Sequence, residues 1–217
     1  MSAPHTNAIV GRERERTQLR QILHGAITGH GSLVLISGEA GIGKTTLVDD
    51  LIEHAKEQSC LVLTGGCYDL TTTPPYGPWV EITRSYPNTD DALPELPEQL
   101  REGTALASVR SQTELFELVS GFFATVSTHR PLVLVLEDLH WSDPASLELL
   151  RYLGRSLGDS SILIMITYRD DELTRHHPLF QLLPVLVRET GAARIELRRF
   201  TSRSDSQIGC LQRTFRR

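Results

Sequence analysis

The sequence predicts an α/β fold: a parallel sheet of about five strands with helices on both faces, three layers in all. Three observations predict it. Short leucine-rich or β-branched runs read as buried strands, segments of helical period lie between them, and the two alternate along most of the chain. The first helix precedes the sheet, with Leu19, Ile22, Leu23, Ala26 and Ile27 on one face. A strand follows over Leu33 to Ser37, then a glycine-rich turn, then a helix with Leu47, Val48, Leu51, Ile52 and Ala55 on one face. Leu61 to Thr64 reads as the next strand. Tyr68 to Arg110 then breaks the pattern with Pro74, Pro75, Pro78, Pro87, Pro94 and Pro97, and reads as a proline-rich insertion with a short helix after Pro78. Leu115, Leu118, Val119, Phe122, Phe123 and Val126 restore helical period, and Leu132 to Leu136 follows as a strand. Asp143-Pro144 announces another helix, an N-cap candidate before a proline at the first helical position, continued by Leu149, Leu150, Leu153 and Leu157. Ile162 to Thr167 and Arg194 to Leu197 complete the strands. Between them His176 and His177 precede Pro178 at a helix start, and two adjacent histidines without further spaced ligands do not make a metal site. Residues 1–200 read as one domain, and Thr201 to Arg217 as a basic polar tail, disordered or a truncation end.

Composition narrows the functional classes. The 217 residues are 40% hydrophobic and 23% charged, an ordinary globular balance, and a chain of this length removes roughly 70% of its unfolded surface from water. The core needs no staples. Cys60, Cys67 and Cys210 are odd in number and form no C-x-x-C pair, which favours a reducing, cytoplasmic setting over a disulfide framework or a zinc ribbon. The first residues lack the basic flank and apolar run of a secretory signal, and Leu132 to Leu136 is far shorter than the ~20 residues that cross a bilayer. A soluble protein away from membranes is expected. A net charge of −5 argues against nucleic acid as a bulk electrostatic partner, and no direct nucleic-acid site is evident.

The chemistry is carried by Gly38-Glu39-Ala40-Gly41-Ile42-Gly43-Lys44-Thr45, which matches G-x-x-x-x-G-K-[ST] between a buried strand and an amphipathic helix. Glycines allow the tight turn that aims successive N–H groups at phosphate oxygens, and the helix adds the positive end of its dipole. Lys44 is expected to reach the β- and γ-phosphates, Thr45 to place its hydroxyl on Mg²⁺, and Thr46 to bond the α-phosphate. Gly38, Gly41, Ile42 and Gly43 line the same loop. Such a loop needs an acid at a strand end to hold the metal. The run Leu132 to Leu136 ends in Glu137-Asp138, whose side chains strand alternation would send to opposite faces, one to the metal and one to the attacking water. Which takes which role is open. Ile162 to Thr167 ends in Thr167-Tyr168-Arg169, so Thr167 and Arg169 are expected over the γ-phosphate as polar and cationic sensors. A strand-end ion pair of Arg169 with Asp170, Asp171 or Glu172 is the other reading of that arginine.

Four segments together carry a family resemblance: Ile9-Val10-Gly11-Arg12-Glu13, the Gly38 to Thr45 loop, Glu137-Asp138-Leu139-His140-Trp141-Ser142-Asp143-Pro144, and Thr167-Tyr168-Arg169-Asp170-Asp171-Glu172-Leu173. The chain resembles, over residues 8–200, the signal-transduction (STAND) class of P-loop ATPases. More narrowly, it resembles the origin-recognition-like AAA module at the head of large LuxR-type transcription regulators. The resemblance implies an additional-strand sheet, in which the strand from Ile162 to Thr167 inserts between the phosphate-loop strand and the acidic strand. It implies ATP and Mg²⁺ as ligands, slow hydrolysis to ADP, and a conformational change passed to downstream domains or through self-association. It places Val10 and Gly11 against adenine, and Arg12 and Glu13 at the entry to the first helix, where a charged helix start is an equal reading. Family members often carry two aspartates where this chain has Glu137-Asp138. Tyr76, Pro78 and Trp79 also resemble a family segment, and a rigid loop with an aromatic anchor is the favoured reading of them. Tryptophan Trp141 reads as packing, and His140 is not expected to be a catalyst. Family proteins continue past the last strand into a helical lid or winged helix, which Thr201 to Arg217 does not resemble. A regulatory ATPase module is therefore the first reading. A nucleotide-binding scaffold fragment with little turnover is the second, and a small-molecule P-loop kinase the third.

Overall fold

A computed structural model describes residues 11–69, 74–87, 90–101 and 111–199. Val10, Cys210 and the predicted tail from Thr201 to Arg217 lie outside the described residues. The elements run α1 (Glu13–Ile27), β1 (Ser32–Ser37), α2 (Lys44–Glu57), β2 (Leu61–Gly66), α3 (Gly77–Arg84) and α4 (Glu98–Arg101). They continue with α5 (Gln112–His129), β3 (Leu132–Glu137), a 3₁₀ turn (Leu139–Trp141), α6 (Pro144–Arg155), β4 (Ile162–Tyr168), α7 (Pro178–Thr190) and β5 (Ala193–Glu196). All four strand pairings are parallel, in the order β2-β3-β4-β1-β5.

Alternation along each strand divides the core into two layers. Leu33 and Leu35 of β1, with Leu132, Leu134 and Leu136 of β3, face a cluster built by α3, α5, α6 and α7. Val34 and Ile36, with Val133 and Val135, face the opposite cluster under α1 and α2. Both faces of the central strands are thus dry, which is why they read as unbroken apolar runs. The predicted three-layer α/β fold is the observed one, and β4 stands between β3 and β1 as the additional-strand arrangement requires.

The proline-rich segment packs more closely than its sequence suggests. The expected short helix begins at Gly77, one residue before Pro78, and its Trp79, Ile82 and the following Tyr86 are buried in the same core layer as β2 and β3. Trp79 acts as the aromatic anchor, its indole N–H donating to the Ser146 carbonyl of α6 at 3.1 Å. Gly65 shows how tightly α3 sits on β2: a Cβ there would stand 2.0 Å from the Pro78 carbonyl oxygen. Asp143 caps α6 as predicted, accepting from the Ser146 N–H at 2.9 Å and the Ser146 hydroxyl at 2.5 Å. His177 caps α7 in the same way, its Nδ1 accepting from the Leu179 N–H. Among the described residues no helix is long and apolar enough to cross a membrane.

Candidate nucleotide site

Parallel pairing in register brings the carboxyl ends of the strands to one edge. Ser37 lies beside Tyr168, Leu136 beside Ile166, and Gly66 beside Glu137. This is the edge at which open α/β sheets bind ligands. The phosphate loop leaves β1 there and turns through Gly41 at φ 70° and Gly43 at φ 100°, left-handed conformations in which a Cβ would be strained. Gly43 is also the N-cap of α2, and no side chain caps that helix, so its first N–H groups are left for an anion.

Lys44 is buried, and its ammonium donates to the Gly38 carbonyl at 2.6 Å and the Glu39 carbonyl at 3.0 Å. Burial lowers its pKa, with the charge of Asp138 working in the opposite direction. Thr45 is exposed and Thr46 half-buried in the first turn of α2. Glu137 ends β3 and is half-buried, and burial pushes its carboxyl upward, helped by the negative charges of Asp49 and Asp138. Asp138 has φ 53°, so the chain has already left the strand, and strand alternation cannot assign the directions of the two carboxylates. Its N–H donates to the Thr167 hydroxyl at 3.0 Å, which ties the loop after β3 to the end of β4. Both residues of the expected sensor pair thus stand at this edge. Arg169 pairs through Nη1 with Glu172 at 2.5 Å, and its guanidinium lies 5.2 Å from the centre of the Trp141 ring. The ion-pair reading of Arg169 is realised with Glu172, beside Asp138 and Lys44, whose charges it feels.

A family model described as AAA ATPase domain matches residues 8–166. The chain belongs to the AAA ATPase domain family. AAA ATPase domains bind ATP with Mg²⁺ and hydrolyse it, and this is the chemistry that membership implies. The domain is similar to an uncharacterized protein of Rhizobium meliloti (strain 1021), 25% identical over 74% of this chain, and spans only 18% of that relative's length. Among solved structures it resembles Cdc6p from Pyrobaculum aerophilum, with a TM-score of 0.61 at 22% identity over 92% of this chain and 48% of that one. It also resembles a Drosophila ORC structure, bound to DNA, with a TM-score of 0.54 at 13% identity over 90% of this chain and 96% of the other. These likenesses are of fold.

The residues present fit a Mg²⁺–nucleotide. Open space stands where a Cβ would be at Gly41 and Gly43, and an uncapped helix start, a buried lysine and crowded carboxylates meet at one edge. Among the described residues no group of three or more histidine, cysteine or acidic side chains is placed to hold a metal alone. Magnesium at a phosphate site needs fewer protein ligands, because phosphate oxygens and water complete its octahedron.

Asp49 and the long-range contacts of Arg12 and Glu39 escape sequence reading. Asp49 lies one turn beyond Thr45 on α2, a spacing that would have found it. Arg12 is buried, donating to the Arg198 carbonyl at 2.8 Å and pairing with Glu15 at 3.2 Å, so it joins the start of α1 to the chain leaving β5. Glu39 of the phosphate loop pairs with Arg199 at 2.5 Å. Both contacts span more than 150 residues, and nothing in local sequence announces them.

Proposed function

We propose that this AAA ATPase domain is a nucleotide switch: an ATP-binding, slowly ATP-hydrolysing regulatory module of signal-transduction type, working within a longer protein. One observation carries the proposal. In the sheet order the phosphate loop after β1, Thr167 and Arg169 at the end of β4 and Glu137-Asp138 at the end of β3 occupy adjacent positions along one edge, with Lys44 under the charge of Asp138. The regulatory part rests on the resemblance to LuxR-type regulator heads and on the small share of its relative that the chain spans.

In this reading the loop N–H groups and the start of α2 hold the phosphates, and Lys44 exchanges its two loop carbonyls for β- and γ-phosphate oxygens. Thr45 and Glu137 would hold Mg²⁺, which would supply charge neutralisation on the phosphates. One of the two carboxylates orients and deprotonates the attacking water, and Asp138 is assigned that role because Thr167 fixes its backbone. Arg169 and Thr167 face the charge that develops on the γ-phosphate. No covalent intermediate is needed, since positioning and charge stabilisation suffice.

The test is phosphate release from MgATP by the parent chain and Asp138→Asn, with binding measured alongside. Asparagine tolerates the left-handed backbone of this position, so the variant should fold and bind ATP while its turnover falls at least ~100-fold. Equal loss of binding and turnover would refute the assignment of Asp138 to the water. Chelation of Mg²⁺ is expected to abolish turnover of the parent.

A further inference from the structure

His140 is the buried polar group that this mechanism leaves unused. Its side chain is 1% exposed, and neither ring nitrogen has an aligned hydrogen-bond partner among the described residues. Yet carboxylates on the two loops of the site lie against it: Glu172 Oε2 lies 3.3 Å from Nε2, and Asp138 Oδ1 lies 4.0 Å from Nδ1. The Glu172 contact is within hydrogen-bond distance but is not aligned as a hydrogen bond. A nitrogen buried with no partner is costly, and a hydrophobic ring would fill the same space without that cost.

The surroundings form a closed circuit. The His140 ring lies 4.5 Å from the Trp141 ring, the Arg169 guanidinium lies on the Trp141 ring, Arg169 Nη1 bonds Glu172 Oε1, and Glu172 Oε2 returns to His140. The main chain at this point is fixed as well, because the His140 carbonyl contacts His177 Nε2 at 2.8 Å. Burial lowers the pKa of the ring, with the charges of Glu172 and Asp138 working in the opposite direction.

We infer that His140 is a positioning residue that holds Glu172 and, through it, sets the guanidinium of Arg169 for the γ-phosphate, coupling the loop after β4 to Asp138 after β3. Glu172 engages one guanidinium nitrogen and Trp141 its face, which leaves the other edge of Arg169 to meet a terminal phosphate. The inference deepens the proposed nucleotide site and rests on it. Its consequence is selective: a residue that orients Arg169 matters for ATP, which has a γ-phosphate, and not for ADP.

The experiment is calorimetric titration of MgATP and MgADP into the full chain and into His140→Phe, His140→Gln, Glu172→Gln and the His140→Phe/Glu172→Gln double variant. Phenylalanine keeps the ring volume and its packing on Trp141 while removing both nitrogens. Glutamine restores an amide near the place of Nε2. The expected result is a fall of roughly tenfold in the ATP-over-ADP preference for His140→Phe and for Glu172→Gln, with no further fall in the double variant. Substantial recovery of the preference in His140→Gln is also expected. ADP affinity should stay within about twofold throughout. A parental preference in His140→Phe, or full additivity in the double variant, would overturn the inference while leaving the nucleotide site intact. A parent chain that binds neither nucleotide would overturn both.

Discussion

Asp138 shows how one residue's backbone decides what its side chain can do. Its left-handed φ ends β3 and its N–H is taken by Thr167, so the carboxylate is carried by a fixed turn. Sequence reading located Glu137 and Asp138 from the apolar run that precedes them, because a buried strand ending in acids is a local signal. It missed the turn between them because the Thr167 hydroxyl that accepts from the Asp138 N–H is 29 residues away. Cys67 is the opposite case, a residue with no sequence signal whose environment is strongly defined. Burial, joined by the charges of Asp143, Asp138 and Glu81, pushes its thiol up to about 12. Cys67 should therefore resist iodoacetamide at pH 8 in the folded chain and react once urea unfolds it. Labelling of folded Cys67 at the rate of a free thiol would contradict the packing described. The sign of the linkage follows: above the unfolded thiol value of ~8.5 the unfolded chain loses a proton that the folded chain keeps. Stability from this group is complete below that pH and declines toward 12, with the raised phenols of Tyr76 and Tyr86 acting in the same direction. The urea midpoint should fall between pH 8 and pH 10.

At the scale of elements, ends and close approaches carry the specificity. Asp143 begins α6 immediately after the site loop, so its cap sets where that helix starts. Asp143→Ala should cost about 1 kcal/mol of stability, read as a lowered urea midpoint with an unchanged slope. A neutral result would mean that the cap contributes nothing. The cap and the proline after it were legible because capping is a short-range pattern. The seating of α3 on β2 was not. Nothing around Gly65 in the sequence says that a helix carbonyl will stand where its Cβ would be. Gly65→Ala forces β2 and α3 apart and should cost about 1–3 kcal/mol or more. An unperturbed melting temperature for that variant would contradict the packing. The same reasoning explains why the proline-rich segment looked like an insertion. Its buried Trp79, Tyr86, Leu96 and Leu100 are spaced by prolines and turns, so they show no period even though they join the core.

Across the whole molecule, topology does what no single motif can. The phosphate loop and the Glu137-Asp138 pair are 94 residues apart at Lys44 and Asp138, and only the insertion of β4 between β1 and β3 aligns them with Thr167. Strand identity was legible from burial on both faces, and strand order came with the family resemblance. The long-range ties around the loop, Arg12 to the Arg198 carbonyl and Glu39 to Arg199, depend on where β5 comes to lie and leave no trace in local pattern. The central claim is that this edge is a working nucleotide site, with Lys44 at its centre. Calorimetric titration of MgATP into the parent chain and into Lys44→Ala tests it most directly. Saturable binding by the parent, weakened roughly 10- to 100-fold or lost in a folded Lys44→Ala, is the expected result. Equal affinity in the two, or no binding by a folded parent chain, would contradict it.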